Sequence, residues 1–246
     1  MNVMELRHQY DPELRKIIKK SKKAALIPVG SLEQHGPHLP VSTDSDIVTE
    51  IAKSVSEKCS FLLFPTINYG VSFEHSPFFN LSLKNSTLQA MLIDIGNSLV
   101  SNKIYTLFIL NGHHGNQSAL RSISKKIERS TKKKIKVFVF SYWHFMKTEF
   151  DHAGFVETSL MLAISNKVKM SKARKGFVTN KLSKKEKIRL SKRASKSFIT
   201  VTKNGVLGDP THASAKNGKK FLSEIVHNLI KTSQTCLTDK NRKLHQ

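Results

Sequence analysis

Apolar positions along the chain form four short continuous runs separated by longer stretches with helical spacing. The runs are AALIPVG (24–30), FLLFPTI (61–67), YTLFIL (105–110) and IKVFVFSYW (135–143). Short runs with few polar positions are typical of strands that are buried on both faces of a sheet. The sequence therefore predicts four strands in this order.

Helical spacing of apolar residues fills most of the remaining chain. Asp11, Pro12 and Glu13 form a typical helix start, with an N-cap, a proline at the first helical position and an acidic first turn. Further helices are predicted at 46–58, 88–100, 118–130, 155–164 and 216–231. Strands that alternate with helices predict an α/β fold of three layers, in which helices cover both faces of a mainly parallel sheet.

Length and composition indicate one intracellular domain. A chain of 246 residues can bury one sizeable core, so we expect a single domain over 1–246. No apolar run approaches the roughly 18 residues of a membrane span, and the charged start does not resemble a secretory signal. Cys59 and Cys236 are too few for a disulfide framework. We expect a cytoplasmic protein with free thiols and no membrane partner.

The charge of the chain is unusually positive. Lys and Arg number 41 against 18 Asp and Glu, a net charge of +23 that favours anionic partners. The segment 169–196 concentrates this charge, with twelve basic residues and one acidic residue in 28 positions. Two interpretations are open: a solvated basic insertion or loop, or a surface for nonspecific nucleic-acid binding with Phe177 and Phe198 as stacking residues.

The stretch 30–44, GSLEQHGPHLPVSTD, holds the densest group of chemically active side chains. Glu33, His35, His38 and Asp44 lie within fifteen residues. A Glu and a His two positions apart in an extended segment point to the same side. The prolines and glycines of the stretch fix an irregular backbone. A preorganised site and a solvated surface loop are both compatible with this pattern taken alone.

Other polar groups also follow predicted strands. Glu74 and His75 come after the second strand, His113 after the third, and Asp151 and His152 after the fourth. Ligands of parallel α/β sheets bind outside the carboxyl ends of the strands, so these groups should meet there. A mixed imidazole and carboxylate set without thiolate suits Zn, Mn or Fe(II). The sequence therefore favours a metal-dependent hydrolase site.

Five segments resemble, in the right order, the motifs of the creatininase family of metal-dependent amidohydrolases. They are EQHGPHLPVSTD (33–44), NYGVSFEH (68–75), LNGHHGN (110–116), HAGFVETSLML (152–162) and GVLGDPTHASAKNG (205–218). The resemblance spans roughly residues 24–230. It implies a creatininase-like fold, two divalent metal ions per chain and assembly into a homo-oligomer such as a hexamer.

The resemblance also implies which residues hold the metals. Glu33, Asp44 and His113 would hold one ion, and His35, Asp44 and Glu157 the other. Asp44 would bridge the two ions.

The remaining polar residues of the motifs take other roles by the same resemblance. His152 matches the catalytic histidine that moves the proton from the attacking water to the leaving nitrogen. Glu74 and His75 would bind substrate or support the ligands. Supporting or structural roles are expected for three further histidines, His38, His114 and His212.

The chain departs from the family pattern at two places. It reads PFFNLSL (77–83) where many members have a Phe-Pro-Gly-Thr turn, and Gly115 stands where creatininase itself has a glutamate ligand. The second metal would then depend on Glu157. These departures make the chain more similar to the deformylase and peptidase branches of the family than to true creatininases.

The function expected from these observations is hydrolysis of a C–N bond in a small amide, lactam or formamide by attack of a metal-bound water. A phosphorylated substrate, such as a formamidopyrimidine nucleotide that is deformylated, fits the positive charge. A creatinine-type lactam hydrolase and a precursor-peptide peptidase are alternatives within the family. The alternative of another class is a basic nucleic-acid-binding protein on an inactive hydrolase fold.

Overall fold

Four parallel strands form the centre of the protein. The computed structural model describes residues 5–20, 23–180 and 182–242. The strands are β1 (Ala25–Val29), β2 (Leu62–Leu63), β3 (Thr106–Asn111) and β4 (Lys136–Ser141), and their order in the sheet is β2-β1-β3-β4. Every pairing is parallel, with Ala25 opposite Leu107 and Thr106 opposite Lys136. The predicted parallel sheet is confirmed.

Eight α-helices surround this sheet in the described part of the chain. They are α1 (Asp11–Lys20), α2 (Thr43–Cys59), α3 (Asn85–Ser101), α4 (Gln117–Leu120), α5 (Ile123–Ser130), α6 (Phe155–Ile164), α7 (Lys184–Ala194) and α8 (Ala215–Arg242). Short 3-10 turns include Phe73–His75, His114–Asn116, Tyr142–Phe145 and Phe198–Thr200.

The two faces of the sheet carry separate cores. Leu26 and Phe108 point into one core, which α2, α6 and α8 complete. Ile27 and Ile109 point into the other, which is covered by α1, α3 and α5. All five residues of β1 are buried, as the continuous apolar run predicts for a strand covered on both sides. The three-layer α/β architecture is confirmed.

Two strands are shorter than the apolar runs predicted. The ladder of β2 stops before Pro65, which has no N–H to donate, and the chain rejoins β1 only where Ile67 N–H donates to the Pro28 carbonyl at 3.0 Å. The fourth run was predicted to continue to 143, but β4 ends at Ser141 and the aromatic residues after it form a 3-10 turn. Apolar character alone did not mark either strand end.

Helix boundaries also differ from the prediction. Helix α2 begins at Thr43 rather than at 46, which brings Asp44 into its first turn. The stretch 118–130 is divided between α4 and α5. The basic segment 169–196, predicted as an insertion or loop, contains α7, which begins with a capping box between Ser183 and Glu186. Within the described residues no helix has the length and apolar character to cross a membrane.

The stacked aromatic residues on the sheet provide a test of this packing. Phe108 is 1% exposed and stacks on Phe61 and Phe138 at ring-centroid distances of 4.9 and 5.0 Å. Phe108→Ala removes a fully buried ring, so we expect a loss of about 3–5 kcal/mol in the free energy of unfolding, measured with denaturant. Met91→Ala on the exposed side of α3 is the control and should change it by less than about 1 kcal/mol. Equal effects of the two variants would contradict this packing.

Candidate metal centre

The loop after β1 is braced by neighbouring loops. Asn116, the last residue of the LNGHHGN motif, donates to the Gly30 carbonyl at 3.0 Å and accepts from Val71 N–H at 2.9 Å. Gln34 N–H donates to the Phe79 carbonyl at 2.8 Å, and this contact holds the loop against the PFFNLSL segment. The backbone that carries Glu33 and His35 is therefore fixed on both sides.

The first group of side chains lies just beyond the carboxyl ends of β1 and β3 and consists of Glu33, Asp44 and His113. The His113 Nε2 atom lies 3.1 Å from Glu33 Oε2, and its Nδ1 atom lies 3.0 Å from Asp44 Oδ2. All three side chains are buried, Glu33 completely. These three residues, which the resemblance assigns to one metal, are brought together.

His35, Asp44 and Glu157 form an adjoining group. His35 Nε2 lies 3.3 Å from Asp44 Oδ1 and 3.6 Å from Glu157 Oε2. His35 and Glu157 are completely buried. Asp44 thus turns one oxygen to each group, as a bridging carboxylate would. The second proposed ligand set is also brought together.

Asp44 and Glu157 both lie in the first turn of a helix. Asp44 is in the first turn of α2 and Glu157 in that of α6. Glu157 Oε2 also accepts the N–H of Ala153 at 2.6 Å. Unpaired N–H groups give a helix N-terminus partial positive charge, which stabilises a nearby carboxylate. The helices thereby offset part of the cost of burying these two acids.

The imidazoles within the cluster are biased toward carrying positive charge. Burial lowers the pKa of His35, but the carboxylates of Asp44 and Glu157 outweigh it and raise this pKa to about 10. His113 behaves in the same way, because Glu33 and Asp44 oppose the effect of burial and raise its pKa to about 10. A cluster that draws in protons so strongly carries an excess of negative charge that a metal cation would also neutralise.

Several buried nitrogen and oxygen atoms of the cluster have no hydrogen-bond partner among the described residues. They are Glu33 Oε1, His35 Nε2, Asp44 Oδ2 and Glu157 Oε1. Two of them lie 3.0 Å from an imidazole nitrogen without forming a hydrogen bond. Unpartnered buried polar atoms are costly, whereas nitrogen and oxygen atoms converging on one space suit divalent metal ions. The residues therefore fit a metal centre, although no distance to a metal follows from them.

His75 and His152 lie beside the cluster and share one partner that sequence reasoning missed. Gln34 Oε1 accepts the Gly36 N–H at 2.9 Å, which fixes the orientation of its amide. Its Nε2 atom then lies 3.0 Å from His75 Nδ1 and 3.1 Å from His152 Nε2. Gly205, at φ +75°, passes so close to Gln34 that a β-carbon there would overlap the amide. Gln34 therefore orients both histidines.

The backbone on either side of His152 is held by two further contacts. His152 N–H donates to the Leu207 carbonyl at 3.1 Å, and Leu207 N–H donates back at 2.9 Å. Asp151 accepts the N–H groups of Val156 and Glu157 at the start of α6. Burial raises the pKa of Asp151 to about 7, against the lowering effect of these hydrogen bonds. The sequence marked Asp151 as a residue following a strand, but not its role in holding α6.

His75 and Glu74 lie at the cluster rather than at a distance from it. His75 Nε2 is 3.0 Å from Glu33 Oε1, and Glu74 Oε1 is 3.9 Å from His113 Nε2. Both residues line the pocket that leads to the cluster. The structure therefore brings the two expected substrate-binding residues to the site, while their role stays a prediction.

The three weaker histidine candidates are placed differently. His38 is buried and its Nε2 atom lies 2.8 Å from Thr158 Oγ1, which is compatible with a supporting role. Burial, together with the neighbouring His35, lowers the pKa of His38 to about 4. His114 lines the pocket, whereas His212 is exposed.

The proposed stacking role of Phe198 is wrong. Its ring is 5% exposed and packs on His75 and His152 at centroid distances of 4.6 and 4.8 Å. It therefore forms part of the wall of the pocket and cannot stack on a nucleic-acid base at the surface. Phe177, by contrast, is 37% exposed.

Comparison with known proteins identifies the family. A family profile described as creatinine amidohydrolase matches residues 8–233. The chain belongs to the creatininase family. It is thus an amidohydrolase, a hydrolase of carbon–nitrogen bonds, as the motifs predicted.

Relatives within the creatininase family carry two kinds of name. The mycofactocin precursor peptide peptidase of Mycobacterium ulcerans (strain Agy99) is 32% identical over 221 residues, which cover 83% of this chain and 82% of that protein. The peptidase of the same name from Mycolicibacterium smegmatis is 30% identical over 224 residues, covering 88% and 86%. The creatinine amidohydrolase of Pseudomonas putida is 30% identical over 165 residues, covering 56% and 63%.

Solved creatininase structures share the fold. A crystal structure of creatinine amidohydrolase superposes with a TM-score of 0.80 at 22% identity, covering 94% of this chain and 97% of that one. Structures described as creatininase Mn and as a Zn-Zn type mutant creatininase give TM-scores of 0.79 and 0.80, both at 23% identity with the same coverage. The creatininase-like architecture is confirmed.

Substitution of Gly115 tests whether His113 is a metal ligand in a centre that lacks the glutamate ligand of creatininase. A β-carbon at this position would overlap the Val71 carbonyl and His113 Nε2 and would press on Glu74 Oε1. Gly115→Ala should therefore displace His113 and weaken metal binding by about 10- to 100-fold, measured by metal titration. The control Ser118→Ala alters an exposed residue outside the pocket lining and should keep wild-type affinity. Unchanged metal affinity in Gly115→Ala would show that His113 is not a ligand.

Proposed function

We propose that this protein is a metal-dependent amidohydrolase that cleaves an amide bond of a short peptide or peptide-like substrate. The observation that carries the proposal is a pocket whose floor contains Asp44, His113 and Glu157 and whose walls include apolar side chains. Those apolar residues are Phe150, Leu190, Phe198 and Leu207. Such a pocket suits an apolar side chain next to a polar reacting group.

The ligand sets are proposed as the resemblance assigned them. Glu33, Asp44 and His113 would hold one divalent ion, and His35, Asp44 and Glu157 the other. When bound, the ions would lower the pKa of a water and polarise the amide carbonyl. Zn, Mn and Fe(II) all suit these nitrogen and oxygen donors.

His152 is proposed as the group that moves the proton. Burial, together with the neighbouring imidazoles of His35 and His75, lowers the pKa of His152 well below its usual value, which favours the neutral imidazole. A neutral imidazole can accept the proton from water and pass it to the departing nitrogen. Gln34 holds the ring in place, and His75 packs against it at a centroid distance of 4.9 Å. His75 and Glu74 would contact the substrate from the same wall.

A peptide-like substrate is favoured over the other candidates by the extent of the similarity. The match to peptidases spans more than four-fifths of both chains, whereas the match to the Pseudomonas putida amidohydrolase covers 63% of that protein. This chain also has Gly115 at the position where creatininase has a glutamate ligand. Deformylation of a formamidopyrimidine nucleotide and hydrolysis of creatinine stay as predictions that the same assay separates. Homo-oligomer formation and nonspecific nucleic-acid binding likewise stay predictions.

Hydrolysis by the metal-loaded protein tests the function directly. Zn-, Mn- or Fe(II)-loaded protein is incubated with short peptides, creatinine and formamides, and products are identified by mass spectrometry. We expect cleavage of at least one peptide and none by Asp44→Ala, which lacks the bridging carboxylate. Turnover of only creatinine or only formamides would replace the peptide assignment. Absence of all turnover under saturating metal would overturn the proposed enzyme.

His152→Ala separates a proton-transfer role from a ligand role. The two proposed ligand sets do not include His152, so the variant should keep wild-type metal content by elemental analysis, although its ring lies close enough to both sets to make this a real test. Turnover of the substrate found above should fall by about 10²- to 10⁴-fold, because the proton then lacks an acceptor. Loss of metal in His152→Ala would instead make His152 a ligand, and unchanged turnover would remove it from the mechanism.

A further inference from the structure

Helix α7 presents only one of its two faces to the pocket. Residues 187, 190, 191, 194 and 195 line the pocket, and their spacing of three and four places them on one side of the helix and its end. The exposed basic residues Lys185, Arg189 and Lys192 fall on the opposite side. Most of the positive charge of this helix therefore points away from the pocket.

Lys187 is the exception. Among the residues that the structure describes, it is the only lysine or arginine that lines the pocket. Its Nζ atom lies 2.6 and 2.9 Å from the two carboxylate oxygens of Glu149, which also lines the pocket. The positive charge of this wall thus comes from Lys187, which is paired with Glu149 from a different part of the chain.

The ion pair between Lys187 and Glu149 can be broken at a small cost in free energy. The Lys187 side chain is 31% exposed and that of Glu149 is 61% exposed. Ion pairs between exposed side chains contribute little to stability, because water solvates each partner when they separate. Glu149 can return to solvent while Lys187, which is more enclosed, turns to another anion inside the pocket.

We propose that Lys187 is the residue that binds an anionic group of the substrate, a carboxylate or a phosphate, in exchange for Glu149. This proposal deepens the proposed function and rests on the same pocket. Glu74 and Glu149 also line the pocket, and Lys187 is the only lysine or arginine among its described lining residues that an anionic group can meet. An ammonium group is a compact charge that accepts either anion. The substrate class is therefore an amide that also carries a negatively charged group.

Three matched formamides serve as probes. N-formyl-leucine carries a carboxylate, N-formyl-leucinamide is its neutral counterpart, and N-formyl-leucinol phosphate carries a phosphate on the same side chain. Their affinities for the Zn-loaded protein are measured by calorimetry, which needs no turnover. We expect the wild type to bind at least one anionic probe more tightly than the neutral one, and the stronger of the two identifies the anion.

Two substitutions should then move this preference in opposite directions. Lys187→Gln should weaken binding of the preferred anionic probe by about threefold to tenfold and leave the neutral probe unchanged. Glu149→Gln removes the competing carboxylate and should strengthen binding of the same probe. Lys185→Gln is the matched control, because it removes the same charge from the outer face of α7, and it should keep the wild-type preference.

The proposal is overturned if Lys187→Gln keeps the wild-type preference for anions, if it weakens all three probes equally, or if Lys185→Gln has the same effect. Equal weakening would indicate a structural role for Lys187, and an equal effect of Lys185→Gln would indicate general attraction to the basic helix. Because binding is measured separately from hydrolysis, inactivity toward peptides leaves this result intact. Conversely, an active enzyme without the predicted anion preference overturns the role of Lys187 alone.

Discussion

The structure depends on burying three acidic side chains, Glu33, Asp44 and Glu157, close to one another. Removing an ionised carboxylate from water costs several kcal/mol even after the protein relaxes, so each of these groups needs compensating positive charge. Without a metal ion, protonated His35 and His113 supply part of it, and the N-termini of α2 and α6 supply another part. Divalent cations held by the proposed ligands would replace these protons, because an imidazole that binds a metal is neutral.

A rigid scaffold is needed to hold such a cluster together, because like charges placed so close repel each other. The parallel sheet provides it by ending β1 and β3 side by side, with Val29 paired to Asn111. Asn116 and Gln34 then tie together loops that are far apart in the chain. Polar side chains that are already held in place need little reorganisation free energy during a reaction, so a braced loop suits a charged site.

The walls of the pocket come from a different part of the chain than its floor. The floor is built from residues of the three motifs that contain the proposed ligands and His152, which are 33–44, 110–116 and 152–162 and lie near strand ends or helix starts. One wall is formed by α7 and the following turn at Phe198–Thr200. Both elements lie in the chain between the last two motifs and contain no motif residue. The proposed metal ligands thus lie within the family motifs, whereas α7 lies outside them.

The sequence by itself determined the sheet, most of the helices and the identity of the clustered residues. Continuous apolar runs marked β1 and β3 to within a residue or so, since strands buried on both faces tolerate few polar positions. Loops at the ends of parallel strands must meet, so Glu33, His35 and His113 could be placed near one another before any coordinates.

Only the tertiary structure decided which distant side chains touch. Gln34 meets His75 and His152, which are 41 and 118 positions away, and no local pattern encodes such a contact. Lys187 lies in the segment 169–196 and Phe198 lies just beyond it. The composition of that segment left a solvated loop and a nucleic-acid-binding surface open, and only packing over the pocket gave α7 one inward face. Periodicity reports local conformation and burial, whereas the partner of each side chain is set by how the elements pack.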